Sequence, residues 1–589
     1  MIEFVYDNTS QAIQITTIDH FDLWPLVRRV FEENSQEIQL ISSYSIRLPV
    51  WEFLSCRKSL VYVLEKFSIE YKVDDRVRKI LNTAIDREKE YQYQLTAKPL
   101  DQEVLIKALQ EKGFTRPLTD QQKRNIAKLV SLPSGATFSV PGAGKTTEAL
   151  AYYYFKKGQT TRLLVVCPKN AFAAWEEQLQ LCVVNPPEIK RLVGGKKIIQ
   201  DALTKDPEII LITYQQLPNV KNILAEYLLK FETFMFLDES HRIKRGTGGT
   251  AASNVLSLSH LPIAKLIMSG TPVPNSINDL VPQINFIYPE LEFDIGNATS
   301  VIKPIFVRTT KVELDLPKVR RLFTPVQLKP KQRNLYELLR SEEYRQLAKI
   351  SSRERIMLRS VGKSVIRLLQ LVSNPALLIK DQGNFSEEIF DALLEGDSPK
   401  IEYACQKARQ LVNEGKKVLI WSSFVENVET ISERLSDLGA DYIHGGVDAG
   451  SEEEEETREW KIKKFHESSA SMILVANPAA CAEGISLHTV CHHAIYIDRN
   501  YNAAQYLQSE DRIHRLGLGK DVITTIEIIY SPETVDESVR RRLENKVNLM
   551  AKVLDDPSLN IEPFDPDLEV DGITQEDISD FLKHLKRDD

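Results

Sequence analysis

The sequence predicts an α/β protein of two tandem parallel-sheet lobes with helical insertions, preceded by a small α+β module. Three observations predict it. Short unbroken apolar runs recur between helical stretches at residues 163–167, 208–212, 234–237 and 265–268. A second series follows at 417–421, 441–444, 472–476, 494–498 and 522–530. Between the first module and these runs lies a glycine-rich loop, Ser139-Val140-Pro141-Gly142-Ala143-Gly144-Lys145-Thr146, flanked by an apolar lead and a helix-compatible run. Continuous apolar strands that alternate with helices mark a parallel sheet covered on both faces, with ligands at the carboxyl ends of its strands.

Taken in order, residues 1–100 form the α+β module, with alternating strands at 13–18 and 38–41 and helical patterns at 50–71 and 77–90. Its Trp24, Arg28, Arg29, Arg47, Trp51 and Arg57 suit either a nucleic-acid surface or half-buried packing. The first lobe spans 101–325 and the second 326–530, the latter with helical insertions at 331–352 and 353–372. A brace helix is expected at 531–553. The tail, 554–589, holds twelve Asp or Glu against three Lys or Arg, with a short terminal helix at 576–585. This tail and the first module are the expected sites for protein partners.

Because the tail carries so much of the net charge of −8, the body of the chain is near neutral and free to carry a basic groove. No apolar run approaches the ~20 residues that cross a bilayer, and the first residues lack the order of a secretion signal. The six cysteines form no C-x-x-C pair, which speaks against disulfides and zinc ribbons. Cys481, His488, Cys491, His492 and His493 cluster without a familiar ligand spacing, leaving packing and a metal site as alternatives. The expected setting is cytoplasmic, or nuclear in a eukaryote, with no membrane partner.

The loop's chemistry points to a nucleotide. Gly142, Ala143 and Gly144 let the backbone turn its N–H groups inward, the helix from Lys145 through Thr146 and Thr147 presents its positive end, and Lys145 adds a formal charge. Thr146 offers a hydroxyl to Mg2+. Asp238 and Glu239, at the end of the run 234–237, divide the remaining work: Asp238 holds the magnesium and Glu239 positions the attacking water. Gln508, Arg512 and Arg515 are spaced four and three apart, which predicts one helix face carrying two guanidinium groups.

These motifs, from about residue 116 to 546, resemble the Swi/Snf-type ATPases of helicase superfamily two. Leu118-Thr119-Asp120-Gln121-Gln122 looks like the family's glutamine motif, Cys167-Pro168 with Trp175-Glu176 like its second motif, and Asp238-Glu239-Ser240-His241 like its Walker B box. Ser269-Gly270-Thr271-Pro272 resembles the coupling motif, and Phe306-Val307-Arg308-Thr309-Thr310-Lys311 the inter-lobe segment. In the second lobe, Leu419-Ile420-Trp421-Ser422-Ser423-Phe424, Gly484-Ile485-Ser486-Leu487 and the run from Gln508 to Gly517 complete the set. Ser139, Ser240 and residues 477–482 depart from the family's pattern.

The resemblance implies RecA-like lobes that bind ATP and Mg2+. It implies that Gln122 reads adenine and that Gly484 lies at the nucleotide. Lys145, Glu239, Gln508, Arg512 and Arg515 would act in catalysis, while His241, Ser269 and Thr271 couple nucleotide state to motion. Lys169, Asn170, Thr213, Ser422 and Ser423 would grip a DNA backbone. The expected activity is ATP-dependent translocation on double-stranded DNA, in repair, remodelling or defence. The alternatives are a single-strand DNA or RNA helicase, and a nucleotide-switched clamp with little turnover.

Overall fold

The computed structural model describes residues 1–556 and 559, except 8–10, 19–21, 36, 95–97, 245, 247–248, 290, 318, 349–353, 382–386, 449, 451–452, 482–485 and 520. Its contacts divide the chain into two units. The first takes in 1–139, 144–272 and 277–309; the second takes in 140–143, 273–276 and 310–589.

The first unit holds two sheets. At its N-terminus, strands β1 (Ile2–Asp7), β2 (Ala12–Thr17), β3 (Gln39–Ser42), β4 (Ser45–Pro49) and β5 (Tyr71–Val73) pair in the order β3-β4-β2-β1-β5. Only the β1–β5 pairing is parallel. The helices Trp24–Asn34 and Val50–Lys66 bury Val27, Phe31, Phe53 and Leu60 against Phe4, Ile13, Ile15 and Ile46. Trp24, Trp51 and Arg57 are buried, Arg28 and Arg29 pair with Glu32 and Glu33, and Arg47 pairs with Asp7. The burial of Trp24, Trp51 and Arg57 fits the packing reading, whereas Arg28 and Arg29 lie in surface ion pairs that favour neither. The buried ammonium of Lys221 joins module to lobe, lying 2.7 Å from Glu37 and 2.9 Å from Glu52. A buried charge of this kind is tolerable only when paired.

The second sheet of this unit is fully parallel. It comprises β6 (Gly135–Thr137), β7 (Arg162–Val166), β8 (Ile189–Arg191), β9 (Ile209–Ile212), β10 (Thr233–Asp238), β11 (Ala264–Met268) and β12 (Phe306–Val307). The order is β12-β6-β11-β10-β7-β9-β8. The central strands β7, β9, β10 and β11 are buried almost throughout, which is why their sequences read as unbroken apolar runs. The helix Lys145–Lys156 packs three consecutive tyrosines, Tyr152, Tyr153 and Tyr154, into the core beside Trp175.

The second unit is built on another all-parallel sheet of β13 (Val319–Pro325), β14 (Val418–Trp421), β15 (Asp441–Ile443), β16 (Ile473–Ala476), β17 (His493–Tyr496) and β18 (Thr524–Tyr530). Its order is β13-β18-β17-β14-β16-β15. Helices Pro330–Ala348 and Glu354–Ser373 form the insertion, and Val535–Leu554 is a long amphipathic helix whose inner face carries Val539, Leu543, Val547 and Met550. Among the described residues, no helix is long and apolar enough to cross a membrane. The expected helix at 576–585 lies outside the described residues.

Candidate functional site

Sheet order assembles the site. Strands β6, β11, β10 and β7 are consecutive neighbours, so the segments that follow them emerge side by side at one edge. These are the glycine loop, Ser269-Gly270-Thr271, Asp238-Glu239 and Pro168-Lys169-Asn170. They lie far apart in sequence because parallel strands need crossover connections.

In the loop, Gly142 and Gly144 both have φ of 88°, in the left-handed region that L side chains rarely adopt. Gly144 is the helix N-cap, and a Cβ there would meet Nε2 of Gln122 at 2.3 Å. Lys145 Nζ donates to the Ser139 carbonyl at 3.0 Å. Thr146 is partly exposed; Thr147 is buried and donates to Gln178 Oε1 at 3.1 Å, so its side chain works in packing the helix. Ala143 is buried.

At the end of β10, Asp238 Oδ2 accepts a hydrogen bond from the indole Nε1 of Trp175 at 3.0 Å, and its carbonyl accepts one from Tyr214 at 2.8 Å. Glu239 sits in the left-handed region at φ 54°. Strain of about 1–3 kcal/mol is expected for such a residue and persists where the surroundings over-determine it. Glu239 Oε2 lies 3.3 Å from His241 Nδ1, which is itself 3.0 Å from the Ser269 hydroxyl; that hydroxyl accepts the Thr271 N–H at 3.1 Å. Nδ1 of His241 therefore lies between Glu239 and the loop after β11, within reach of both. Ser240, which departs from the family's pattern, adds a link to that loop. Its hydroxyl donates to Gln283, whose amide donates to the Pro272 carbonyl at 2.7 Å.

The two carboxylates titrate apart. Burial, then the neighbouring charge of Glu239, push Asp238 up to about 6. Burial also opposes ionisation of Glu239, but the hydrogen bond and charge of His241, with Lys145 and Arg242, outweigh it and hold Glu239 down at about 2. A carboxylate whose charge is disfavoured until a cation arrives, beside a second ionised one and near a loop carrying a threonine hydroxyl, is a hard-oxygen donor set that fits Mg2+.

Gln122 belongs to a capping box: its side-chain oxygen accepts the Thr119 N–H at 3.1 Å, and the Thr119 hydroxyl accepts the Gln122 N–H at 3.3 Å. Beside that helix start is a cavity of about 310 Å³ lined by Ile106, Leu109, Phe114, Arg116, Leu118 and Lys123. Of its lining, Ile106, Phe114 and Arg116 were not singled out by sequence reasoning. The only available signal was their position just ahead of the glutamine motif.

Lys169 and Asn170 are exposed on the turn after β7, and Thr213 is half-buried with its hydroxyl accepting the Gln216 N–H at 3.1 Å. The same edge carries an exposed loop that sequence reasoning passed over, Gly194-Gly195-Lys196-Lys197, where β8 gives way to the helix Lys196–Leu203. In the second unit, the reading of Ser422 as a backbone-gripping residue is corrected. Ser422 is fully buried and donates to Asp498 Oδ2 at 2.6 Å, while the Ser423 N–H donates to Asp498 Oδ1 at 2.6 Å.

The single helix expected for Gln508, Arg512 and Arg515 is also corrected. The helix Ala503–Glu510 carries Gln508 but stops before both arginines, and Arg512 Nε folds back to donate to the Gln508 carbonyl at 2.9 Å. The acids beside them are engaged elsewhere: Glu510 takes a bidentate pair from Arg321 at 3.0 and 2.7 Å, and Asp511 pairs with Lys311. Gly484 and the Cys481 side chain lie outside the described residues. Cys491 is buried, with its thiol 3.4 Å from the Lys417 and His493 carbonyls.

Residues 86–294 match the model of the SNF2-related domain, and residues 400–517 that of the helicase conserved C-terminal domain. Among curated relatives, the mouse SWI/SNF-related matrix-associated actin-dependent regulator of chromatin subfamily A member 1 is 23% identical over 74% of this chain and 43% of its own length. ATP-dependent DNA helicase DDM1 of Arabidopsis thaliana is 24% identical over 73% of this chain and 61% of its own. The putative ATP-dependent helicase/translocase YwqA of Bacillus subtilis is 22% identical over 70% and 46%. The chain spans about a fifth to under a half of the length of several of the relatives it matches. The Sulfolobus solfataricus SWI2/SNF2 ATPase core in complex with dsDNA aligns over 76% of this chain and 95% of its own at 21% identity, with a TM-score of 0.33. The Pyrococcus furiosus Hef helicase domain aligns over 71% and 96% at 16% identity, with a TM-score of 0.45.

Proposed function

We propose, from the premise that the chain belongs to the SNF2-type ATPases of helicase superfamily two, that it is an ATP-driven translocase on double-stranded DNA. The carrying observation is the place of His241 Nδ1 within reach of both Glu239 and the Ser269 hydroxyl that accepts the Thr271 N–H, which sets the hydrolytic carboxylate one side chain away from the loop of the neighbouring strand. An enzyme that only bound nucleotide would not need that placement.

The residues divide the work as follows. The loop amides and Lys145 bind the phosphates, with Lys145 leaving the Ser139 carbonyl to do so. Asp238, oriented by Trp175, and Thr146 would hold Mg2+, which neutralises charge on the transferring phosphoryl group. Glu239, kept ionised at neutral pH, orients the attacking water. Gln122 and the cavity beside it receive the base. Arg512 and Arg515 are the cations proposed to stabilise the transition state. Exposed Lys169, Asn170, Lys196 and Lys197 share the carboxyl edge of the sheet and supply donors for a phosphate backbone, a grip that is independent of base sequence.

The test is ATP turnover with and without duplex, for the parent chain, Lys145→Ala and Glu239→Gln. Stimulation by duplex, abolished in both variants, is the expected result. A parent stimulated only by single strands would move the reading to a strand-separating helicase, and full turnover in Glu239→Gln would overturn the assigned mechanism.

A further inference from the structure

We infer that Ser139, Asn125 and Thr309 form a positioning relay between the phosphate loop and the segment by which the chain leaves the first unit. The inference rests on the ATP-driven reading above. Ser139 occupies the place where the general phosphate-loop pattern has glycine, and the structure gives its hydroxyl a use that glycine lacks. The fully buried Ser139 hydroxyl accepts the Thr309 N–H at 3.0 Å, while the carbonyl of the same residue accepts Lys145 Nζ at 3.0 Å. One residue thus touches the lysine that must move to a phosphate and the last residue before the inter-lobe connector.

The surrounding groups fix this arrangement. Asn125 Nδ2 donates to Thr309 Oγ1 at 2.9 Å and to Glu148 Oε1 at 2.7 Å, and lies 3.4 Å from the Ser139 hydroxyl. Glu148 is fully buried on the helix that begins at Lys145, and its other oxygen accepts from Thr137 at 2.6 Å. The exit strand is held from both sides. The Phe138 N–H donates to the Val307 carbonyl at 2.9 Å, Arg308 donates back to the Phe138 carbonyl, and Arg124 and Lys128 donate to the carbonyls of Arg308 and Phe306 at 2.8 and 2.9 Å. The inner members, Thr137, Ser139, Asn125, Glu148 and Thr309, form a buried polar network with few alternative arrangements, so displacement at one end is taken up at the other. When Lys145 leaves the Ser139 carbonyl for a phosphate, the strain passes through Ser139 to Thr309 and the connector.

The experiment compares Thr309→Val, which removes Asn125's acceptor at nearly constant shape, with Thr309→Ser, which keeps it, and with Ser139→Ala. The readout is the rate of tryptic cleavage after Lys311 with and without a non-hydrolysable ATP analogue, alongside analogue affinity and thermal midpoint. In the parent, nucleotide should change cleavage about tenfold; Ser139→Ala, which deletes the acceptor of the Thr309 N–H, should lose most of that response, Thr309→Val, which keeps that bond and loses only the Asn125 tie, should lose part of it with affinity kept within about threefold, and Thr309→Ser should restore it. A parent whose cleavage ignores nucleotide overturns the relay. So does a Thr309→Val response equal to the parent's, or one lost in Thr309→Ser as well together with a lowered midpoint. Because cleavage needs no DNA, a parent that duplex fails to stimulate would sink the translocase reading while leaving the relay to be judged on its own.

Discussion

The indole of Trp175 donates to the Oδ2 atom of Asp238 at 3.0 Å, across 63 residues of sequence. This bond orients the carboxylate assigned to Mg2+ and opposes the burial that raises its pKa. Trp175→Phe keeps the aromatic bulk in the core and deletes the donor. Groups behind a metal ligand typically matter by ten- to a hundredfold in affinity, so the Mg2+ concentration for half-maximal ATP turnover should rise about tenfold, with turnover at saturating Mg2+ close to the parent's. An unchanged Mg2+ titration would show that the indole serves packing alone.

Gly144 is confined twice, by its φ of 88° and by Gln122 Nε2, which would lie 2.3 Å from an added Cβ. Gly144→Ala should therefore weaken binding of a fluorescent ATP analogue by more than about tenfold, since a left-handed L-residue alone costs about 1–2 kcal/mol. In Gln122→Ala/Gly144→Ala the clash is gone but the backbone cost stays. The double variant should bind less tightly than Gln122→Ala alone. Equal affinities for those two would show that the loop tolerates an L-residue there.

Much of this was legible because the signals were local. Each central strand is an apolar run closed by polar residues, and Lys145, Asp238 and Glu239 sit within such short contexts. What failed to show depends on distant partners. Whether Ser422 faces outward or inward is decided by Asp498, 76 residues later, which holds it buried. The helix bearing Gln508 looks extendable to Arg515, yet Glu510 is fixed by Arg321, 189 residues upstream, and the chain turns immediately after it. Strand order was equally hidden, because periodicity identifies strands and not their neighbours. The cavity beside the glutamine motif went unnoticed because Ile106, Leu109 and Phe114 look like any core and nothing local marks Arg116 or Lys123 as lining the same space.

In the second unit, Lys400 is fully buried and pairs with Asp536, which also accepts the Ser531 N–H at 2.7 Å. Lys400→Met leaves a buried carboxylate without its cation, and removing one partner of such a pair costs about 3–5 kcal/mol. The midpoint of urea unfolding should fall accordingly. Lys400→Met/Asp536→Leu should recover most of the loss, since an apolar pair of similar volume is often neutral. A single variant that costs under about 1 kcal/mol would mean that Asp536 is adequately served by the backbone.

Acid should destabilise this unit earlier than carboxylate titration alone would. His492 and His493 line a cavity of about 760 Å³ at the amino ends of its strands. Burial, then Lys416 and His492, lower His493 to about 4, against the opposing charge of Glu414; burial also lowers His488, His492 and His514. An unfolded histidine titrates near ~6.5, so between there and about 4 the unfolded chain binds protons that the folded chain refuses. Stability is then fully present above ~6.5 and is lost as pH falls through that window. The carboxylates with lowered pKa, such as Asp441 and Glu510, add losses only below their unfolded values near ~4. The urea midpoint should therefore drop between pH 7.5 and pH 5.5, where carboxylates contribute little. His493→Gln, which keeps a polar planar group but does not titrate, should flatten part of that drop while matching the parent at pH 7.5. An equal drop in parent and variant would assign the acid sensitivity to other groups.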